Sequence, residues 1–297
     1  MGEADQRVAV VGPGAIGTTV AVALHECGRT PFVAGRTARG ELRLDTGDGR
    51  VVAPVAVRTE PREADGPVDL VLLAVKATQT TSAEPWLTAL CGPGTVVCVL
   101  QNGVEQREAV EPLVPGATVV PAVVWFPATR DADGTVHLLA APRLTVPDEP
   151  GADAVERALR GSRCIVEVAT DFTTIAWRKL LQNAAAGLMV LTGRRAGMYA
   201  RDDVAGLTLA YLRECLAVAR AAGADLGDDE PRRVLDGFAA SPPGRGTSIL
   251  ADREAGLPLE WDVRNGVVQR LGGRHGVPTP ISDVVVPLLA AASDGPG

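Results

Sequence analysis

Residues 8–24 read VAVVGPGAIGTTVAVAL, and this stretch decides how the first half of the chain folds. Four apolar residues predict a strand, and the small residues after the glycines predict a helix over 15–27. Between them stands the spacing Gly-x-Gly-x-x-Gly. Gly12 admits a tight turn, Gly14 lets backbone come close to a pyrophosphate, and Gly17 lets the helix pack against the strand. The amides and the positive end of that helix then face the phosphates. Gly12, Pro13, Gly14, Ala15, Ile16 and Gly17 are therefore the predicted cradle of a dinucleotide. With 33 glycines in 297 residues the spacing alone is weak. The strand before it and the helix after it carry the weight, against the alternative of a glycine-rich turn without a ligand.

Outward from this turn the same rhythm continues. Strands are predicted at 31–34, 69–75, 95–100, 118–126, 134–139, 143–146 and 164–168, with helices at 80–90 and 104–113. Strand–helix alternation of this kind predicts a doubly wound α/β sheet, the Rossmann-like class. Residues 42–58 alternate around Asp45-Thr46-Gly47-Asp48-Gly49 and predict a hairpin inserted in that sheet. Beyond Asp171 apolar residues recur at helical spacing. Helices are predicted at 173–191, 204–222, 230–239, 247–254, 259–274 and 282–292. The expected organisation is a nucleotide-binding domain over 1–170 and an all-helical domain over 171–297.

Composition narrows the function. Hydrophobic residues make up 46% and aromatics 3%, so the core rests on Val, Leu, Ile and Ala, which suits buried parallel strands. The charge of −7 comes from 29 basic and 36 acidic residues with no long basic run, which argues against nucleic acid or an anionic membrane as partner. No apolar run approaches the ~20 residues of a membrane span. The start of the chain is acidic rather than basic, unlike a signal peptide, so a cytoplasmic location is expected. Cys27, Cys91, Cys98, Cys164 and Cys215 form no Cys-x-x-Cys pair, and the histidines are only His25, His137 and His275. Free thiols and no metal site are expected.

The strand at 31–34 runs into Gly35-Arg36-Thr37-Ala38-Arg39. A site for NAD places an acid about 20 residues past the glycines to take the ribose 2′-hydroxyl. Arg36 stands there instead, and its guanidinium suits a 2′-phosphate. NADP(H) is the predicted cofactor, the alternative for Arg36 being a solvated loop arginine.

Two further strand ends carry polar residues, at Lys76 and at Gln101-Asn102-Gly103. Each is equally an ordinary surface lysine or an ordinary turn. In Trp177-Arg178-Lys179-Leu180-Leu181-Gln182-Asn183-Ala184-Ala185-Ala186-Gly187, helical geometry stacks Lys179, Asn183 and Gly187 along one face. That polar stripe in an apolar helix faces either solvent or a polar ligand.

These blocks together resemble the ketopantoate reductase family. The likeness runs through the glycine turn, Lys76-x-x-Gln79, Gln101-Asn102-Gly103 and Trp177-Arg178-Lys179-x-x-x-Asn183. It continues through Thr247-Ser248-Ile249-Leu250-Ala251-Asp252, Glu260-x-Asp262-x-x-x-Gly266 and His275-Gly276-Val277-Pro278-Thr279-Pro280. The resemblance implies NADPH-dependent reduction of an α-keto acid to an α-hydroxy acid, ketopantoate to pantoate or a close analogue. It implies Lys179 as general acid, Asn102 orienting the lysine and nicotinamide region, and Lys76 on the cofactor side. It also implies Asn183, Ser248 and Glu260 as substrate-binding positions. A serine hydroxyl suits a carboxylate, and Glu260 can accept from a substrate hydroxyl while joining Lys179 and Asn102 in the catalytic set. The expected partner is a small keto acid, and a homodimer is compatible with the reading.

The chain departs from the family at Gly187, where a second asparagine is common, and over 138–144, which lacks a Gly-x-Gly character. Alternatives are another small-carbonyl or imine reductase, a hydroxy acid or opine dehydrogenase, and a non-catalytic NADP(H)-binding sensor.

Overall fold

The structure is a computed structural model that describes residues 6–295. Among the described residues, thirteen strands follow in chain order: β1 (Val8–Val11), β2 (Phe32–Ala34), β3 (Leu42–Asp45), β4 (Arg50–Ala53), β5 (Val57–Arg58), β6 (Leu70–Leu73) and β7 (Val96–Val99). Then come β8 (Thr118–Pro121), β9 (Val123–Val124), β10 (Ala128–Arg130), β11 (Val136–Leu138), β12 (Arg143–Pro147) and β13 (Ile165–Ala169). The main sheet has the order β5-β2-β1-β6-β7-β8, and every neighbouring pair in it is parallel. β1, β6 and β7 are buried at every position, as strands covered on both faces must be. The strand order reverses at β1, so the chain leaving β1 sits at the switch point where a doubly wound sheet takes its ligand.

The helix leaving that point, α1 (Ala15–Glu26), is buried over all eight residues from Gly17 to Leu24. A helix apolar all round needs a cover on its outer side. A second sheet of order β10-β11-β3-β4 supplies it by packing on α1. The predicted hairpin is therefore real but belongs to this second sheet; only β5, its last piece, joins the main sheet by pairing with β2. The stretch 118–126 also divides. β8 ends the main sheet, whereas β9 pairs antiparallel with β12 in a three-stranded sheet β13-β12-β9. Pro121, which has no amide hydrogen for a further ladder bond, stands at the break. Short helices α2 (Glu84–Leu90), α3 (Gln106–Val110) and α4 (Ala152–Leu159) complete this part.

The second part is helical: α5 (Phe172–Thr192), α6 (Asp202–Ala221), α7 (Glu230–Ala239), α8 (Ser248–Glu254), α9 (Val267–His275) and α10 (Ser282–Ser293). Its core is built on Trp177, Leu180, Leu181, Met189, Tyr211 and Leu212. One π turn, Asp262–Gly266, precedes α9 where an unbroken helix over 259–274 was predicted. Contacts group the chain into two compact units. The first runs to Gln101 and resumes over Gln106–Phe172; the second comprises Asn102–Glu105 and the chain from Thr173 onward. None of the described helices is long and apolar enough to cross a membrane.

Candidate active site

In the first unit the glycine turn is closed towards the sheet and open away from it. Gly12 has φ +95°, and a side-chain carbon there would lie 2.6 Å from Val75 Cγ1. At Gly17 such a carbon would lie 2.1 Å from the Gly12 carbonyl oxygen, so nothing larger fits between turn and helix. At Gly14 it would meet nothing within 4 Å. Gly14 caps α1 without a side-chain hydrogen bond, which leaves the first-turn amides at a helix N-terminus for an anion. Pro13, Ala15 and Ile16 complete the turn, all half-buried.

Around Pro13 the neighbours are basic. A Cβ on Gly35 would lie 2.8 Å from the Pro13 ring, so the end of β2 rests against the turn and Arg36 follows, exposed. Arg130, from β10, donates through Nη1 to the Pro13 carbonyl at 3.4 Å. Its pKa is held below the ordinary arginine value, first by burial and then by the charges of Arg39 and Arg36. Three guanidiniums thus share one region beside the turn. Arg130 was not singled out from the sequence, because only the pairing of β10 with β11 in the second sheet brings it there. Lys76 lies half-buried three residues beyond β6. The Gln101 side chain, donating to the Val75 carbonyl at 3.1 Å and to Thr80 Oγ1 at 2.9 Å, ties the end of β7 to that loop.

In the second unit the other predicted residues meet. Asn183 Nδ2 donates to Asn102 Oδ1 at 3.2 Å, and Asn102 Nδ2 donates to Glu260 Oε2 at 3.1 Å. The same carboxylate oxygen accepts from Arg264 Nη2 at 3.0 Å, and that Nη2 also reaches Ser248 Oγ at 3.1 Å. One chain of bonds therefore joins Asn183, Asn102, Glu260, Arg264 and Ser248. Glu260 and Arg264 are 5% and 3% exposed, a buried ion pair at the start of the π turn. Such a pair is costly to desolvate and is held by the extra hydrogen bonds its members make. Arg264 was missed from the sequence. The available signal was its spacing of four after Glu260, which puts opposite charges on one helix face.

Segment 102–105 is fixed by the same element. Gly103, at φ +113°, leaves room for Val263, which a Cβ would approach to 3.2 Å. Arg270 of α9 bonds Glu105 at 2.7 Å and also pairs with Asp262. Asn102 is thereby held against the π turn that carries its partner.

Lys179 stands one turn before Asn183 on α5 and is half-buried. Burial, and then the charge of Arg264, lower its pKa to about 8. Gly187, one turn after Asn183, faces the amide of Asn265, which is fully buried and donates to the Ala184 carbonyl and to Tyr211 Oη, each at 3.0 Å. All five cysteines are free. Among the described residues no group of three or more His, Cys, Asp or Glu is placed to hold a metal ion.

The chain is matched by the family Ketopantoate reductase PanE/ApbA over residues 8–151 and by Ketopantoate reductase PanE/ApbA C terminal over residues 171–293. It is 56% identical over 292 residues to the 2-dehydropantoate 2-reductase of Mycobacterium tuberculosis, covering 98% of this chain and 99% of that protein. It is 39% identical to the 2-dehydropantoate 2-reductase of Caulobacter vibrioides, over 96% of this chain and 99% of that one. The solved 2-dehydropantoate 2-reductase of Geobacter metallireducens GS-15 has a TM-score of 0.88 at 27% identity, covering 96% of this chain and 99% of that one. With the glycine turn in the first unit and the buried polar chain in the second, these matches place the protein: it belongs to the ketopantoate reductase family of oxidoreductases.

Proposed function

We propose that the protein reduces 2-dehydropantoate to pantoate with NADPH, and that Lys179 is the proton donor. The observation that carries the reading is a half-buried lysine on α5, one turn from the bonded pair Asn183–Asn102, where burial lowers its pKa. When bound, the reduced nicotinamide supplies the hydride that the carbonyl carbon takes up. The oxygen of that carbonyl would then bear negative charge, and a protonated amine donating to it leaves a neutral amine and a neutral hydroxyl. A lysine with a pKa near 8 is mostly protonated at pH 7 and gives its proton up more readily than an ordinary one. Water returns the proton to Lys179 after each turnover.

The other residues position and recognise. The glycine turn, Gly12 to Gly17, holds the pyrophosphate, and Arg36 with Arg130 takes the 2′-phosphate, a dianion that three clustered guanidiniums suit. Lys76 is the further cofactor-side cation. Asn102 aligns the reacting region, while Asn183, Ser248 and Glu260 hold the substrate. Glu260 Oε2 already accepts from both Asn102 and Arg264, so its carboxylate comes to the substrate in a fixed orientation.

The test follows NADPH absorbance with ketopantoate, pyruvate and 2-ketoisovalerate. Oxidation that is fastest with ketopantoate is expected. No oxidation with any of the three, despite tight NADPH binding, would point to a nucleotide sensor and overturn the reading.

A further inference from the structure

Two buried polar atoms beside Ser248 have no hydrogen-bond partner among the described residues. They are Thr247 Oγ1, on the preceding residue, and Arg264 Nε, on the side chain that donates to Ser248. Buried donors and acceptors are nearly always satisfied, so two orphans around one exposed serine call for a ligand.

The guanidinium geometry says which kind. Nε and Nη2 form the edge that grips a carboxylate through two parallel N–H···O bonds. Glu260 uses only half of that edge: Nη2 donates to Oε2, which also accepts from Asn102, while Nε has no partner among the described residues. Arg264 is 3% exposed, so an anion reaches it by way of the exposed Ser248 hydroxyl. The carboxylate of a 2-keto acid is bonded directly to its carbonyl carbon. A cation that binds the first must therefore stand near the donor that serves the second, and Arg264 stands close enough to Lys179 to depress its pKa.

We propose that Arg264, with Thr247 beside the substrate-binding Ser248, is a further specificity-determining residue that grips the substrate carboxylate and so selects 2-keto acids over neutral carbonyl compounds. This rests on the reductase reading above.

The test compares 2-ketoisovalerate, or whichever of the three keto acids the wild type turns over best, with the primary amide of the same acid. Wild type, Arg264→Gln, Arg264→Lys and Thr247→Val are measured at saturating NADPH. Loss of one charge-assisted bond predicts a rise of about tenfold or more in KM for the acid in Arg264→Gln. In Arg264→Lys, which keeps the charge but not the fork, a rise of roughly threefold or more is expected. Thr247→Val follows with a smaller rise. KM for the amide, which feels the substitution only indirectly through Glu260, should rise clearly less than KM for the acid, and the NADPH affinity should move less than about twofold. Circular dichroism checks each variant for folding, and Arg264→Lys or Thr247→Val carries the test if Arg264→Gln does not fold. Equal rises for acid and amide, or an unchanged KM for the acid, in an active enzyme overturn the Arg264 role alone. A wild type inactive with every keto acid overturns the reductase reading, and this role with it.

Discussion

Asn265 occupies the space that a side chain at Gly187 would need: a Cβ built at 187 falls 2.6 Å from its Nδ2 and 3.0 Å from its Oδ1. The two residues come from α5 and from the π turn, and their close approach locks one against the other. Asn265 completes the lock through the Ala184 carbonyl and Tyr211 Oη. The same π turn carries Arg264 and follows Glu260, so the contact packs α5 against the element that holds the buried ion pair. The space that a side chain at 187 would take is filled by the Asn265 amide, which is buried and bonded to Ala184 and Tyr211.

Gly187→Ala therefore overpacks a closed contact and is expected to destabilise by about 1–3 kcal/mol. Asn265→Ala opens the space but loses two buried hydrogen bonds, each worth about 1 kcal/mol. The double variant should cost less than the two single costs added together, since Asn265→Ala removes the clash. Urea unfolding of the three variants measures this; strict additivity would show that the two residues are not coupled.

How much of this was legible beforehand follows from the range of the interactions involved. The valine-rich strands and the glycine turn are local signals, so β1, α1 and the parallel core could be read directly. The helices of the second unit were legible for the same reason. The assignment of the hairpin β3–β4 to a second sheet was not, because it depends on β11 and β10, far along the chain. Arg130 escaped with them. The π turn was hidden because one residue of extra winding leaves apolar spacing almost unchanged, yet it is what buries Arg264. Asn102 and Asn183 stood out at a strand end and on a helix face, Ser248 and Glu260 were named from a resemblance, and Arg264, which bonds the last two, carried no motif of its own.

The cofactor assignment predicts a charge effect. Arg36→Asp puts a carboxylate where a 2′-phosphate is proposed to lie and should swing the ratio of kcat/KM values from NADPH towards NADH by about tenfold or more. Arg130→Gln should raise KM for NADPH while leaving KM for NADH nearly unchanged. If neither substitution alters the ratio of the two cofactors' efficiencies, the 2′-phosphate is bound elsewhere.

Thiol chemistry checks the burial of the core. Cys98, Cys164 and Cys215 are buried, and burial drives each thiol pKa up, that of Cys164 to about 12. The thiolate is the reactive form. In the folded protein a thiol reagent at pH 8 should modify at most Cys27 and Cys91, with Cys91 slowed by a pKa of about 11. Rapid labelling of a third site under native conditions would contradict the packing around β7, β13 or α6.

The pH profile tests Lys179 most directly. A general acid must be protonated to donate, so the rate of ketone reduction should fall as pH rises through the lysine's pKa, about 8, well below an ordinary lysine's. Burial is the larger cause of that shift and Arg264 the second, so Arg264→Gln should move the alkaline limb of kcat/KM upward without abolishing it. Lys179→Ala should lower kcat by about 10²–10⁴-fold, the range for loss of a general acid, and leave NADPH affinity largely intact. An alkaline limb that persists at the same pH in a residually active Lys179→Ala enzyme would assign the ionisation to another group.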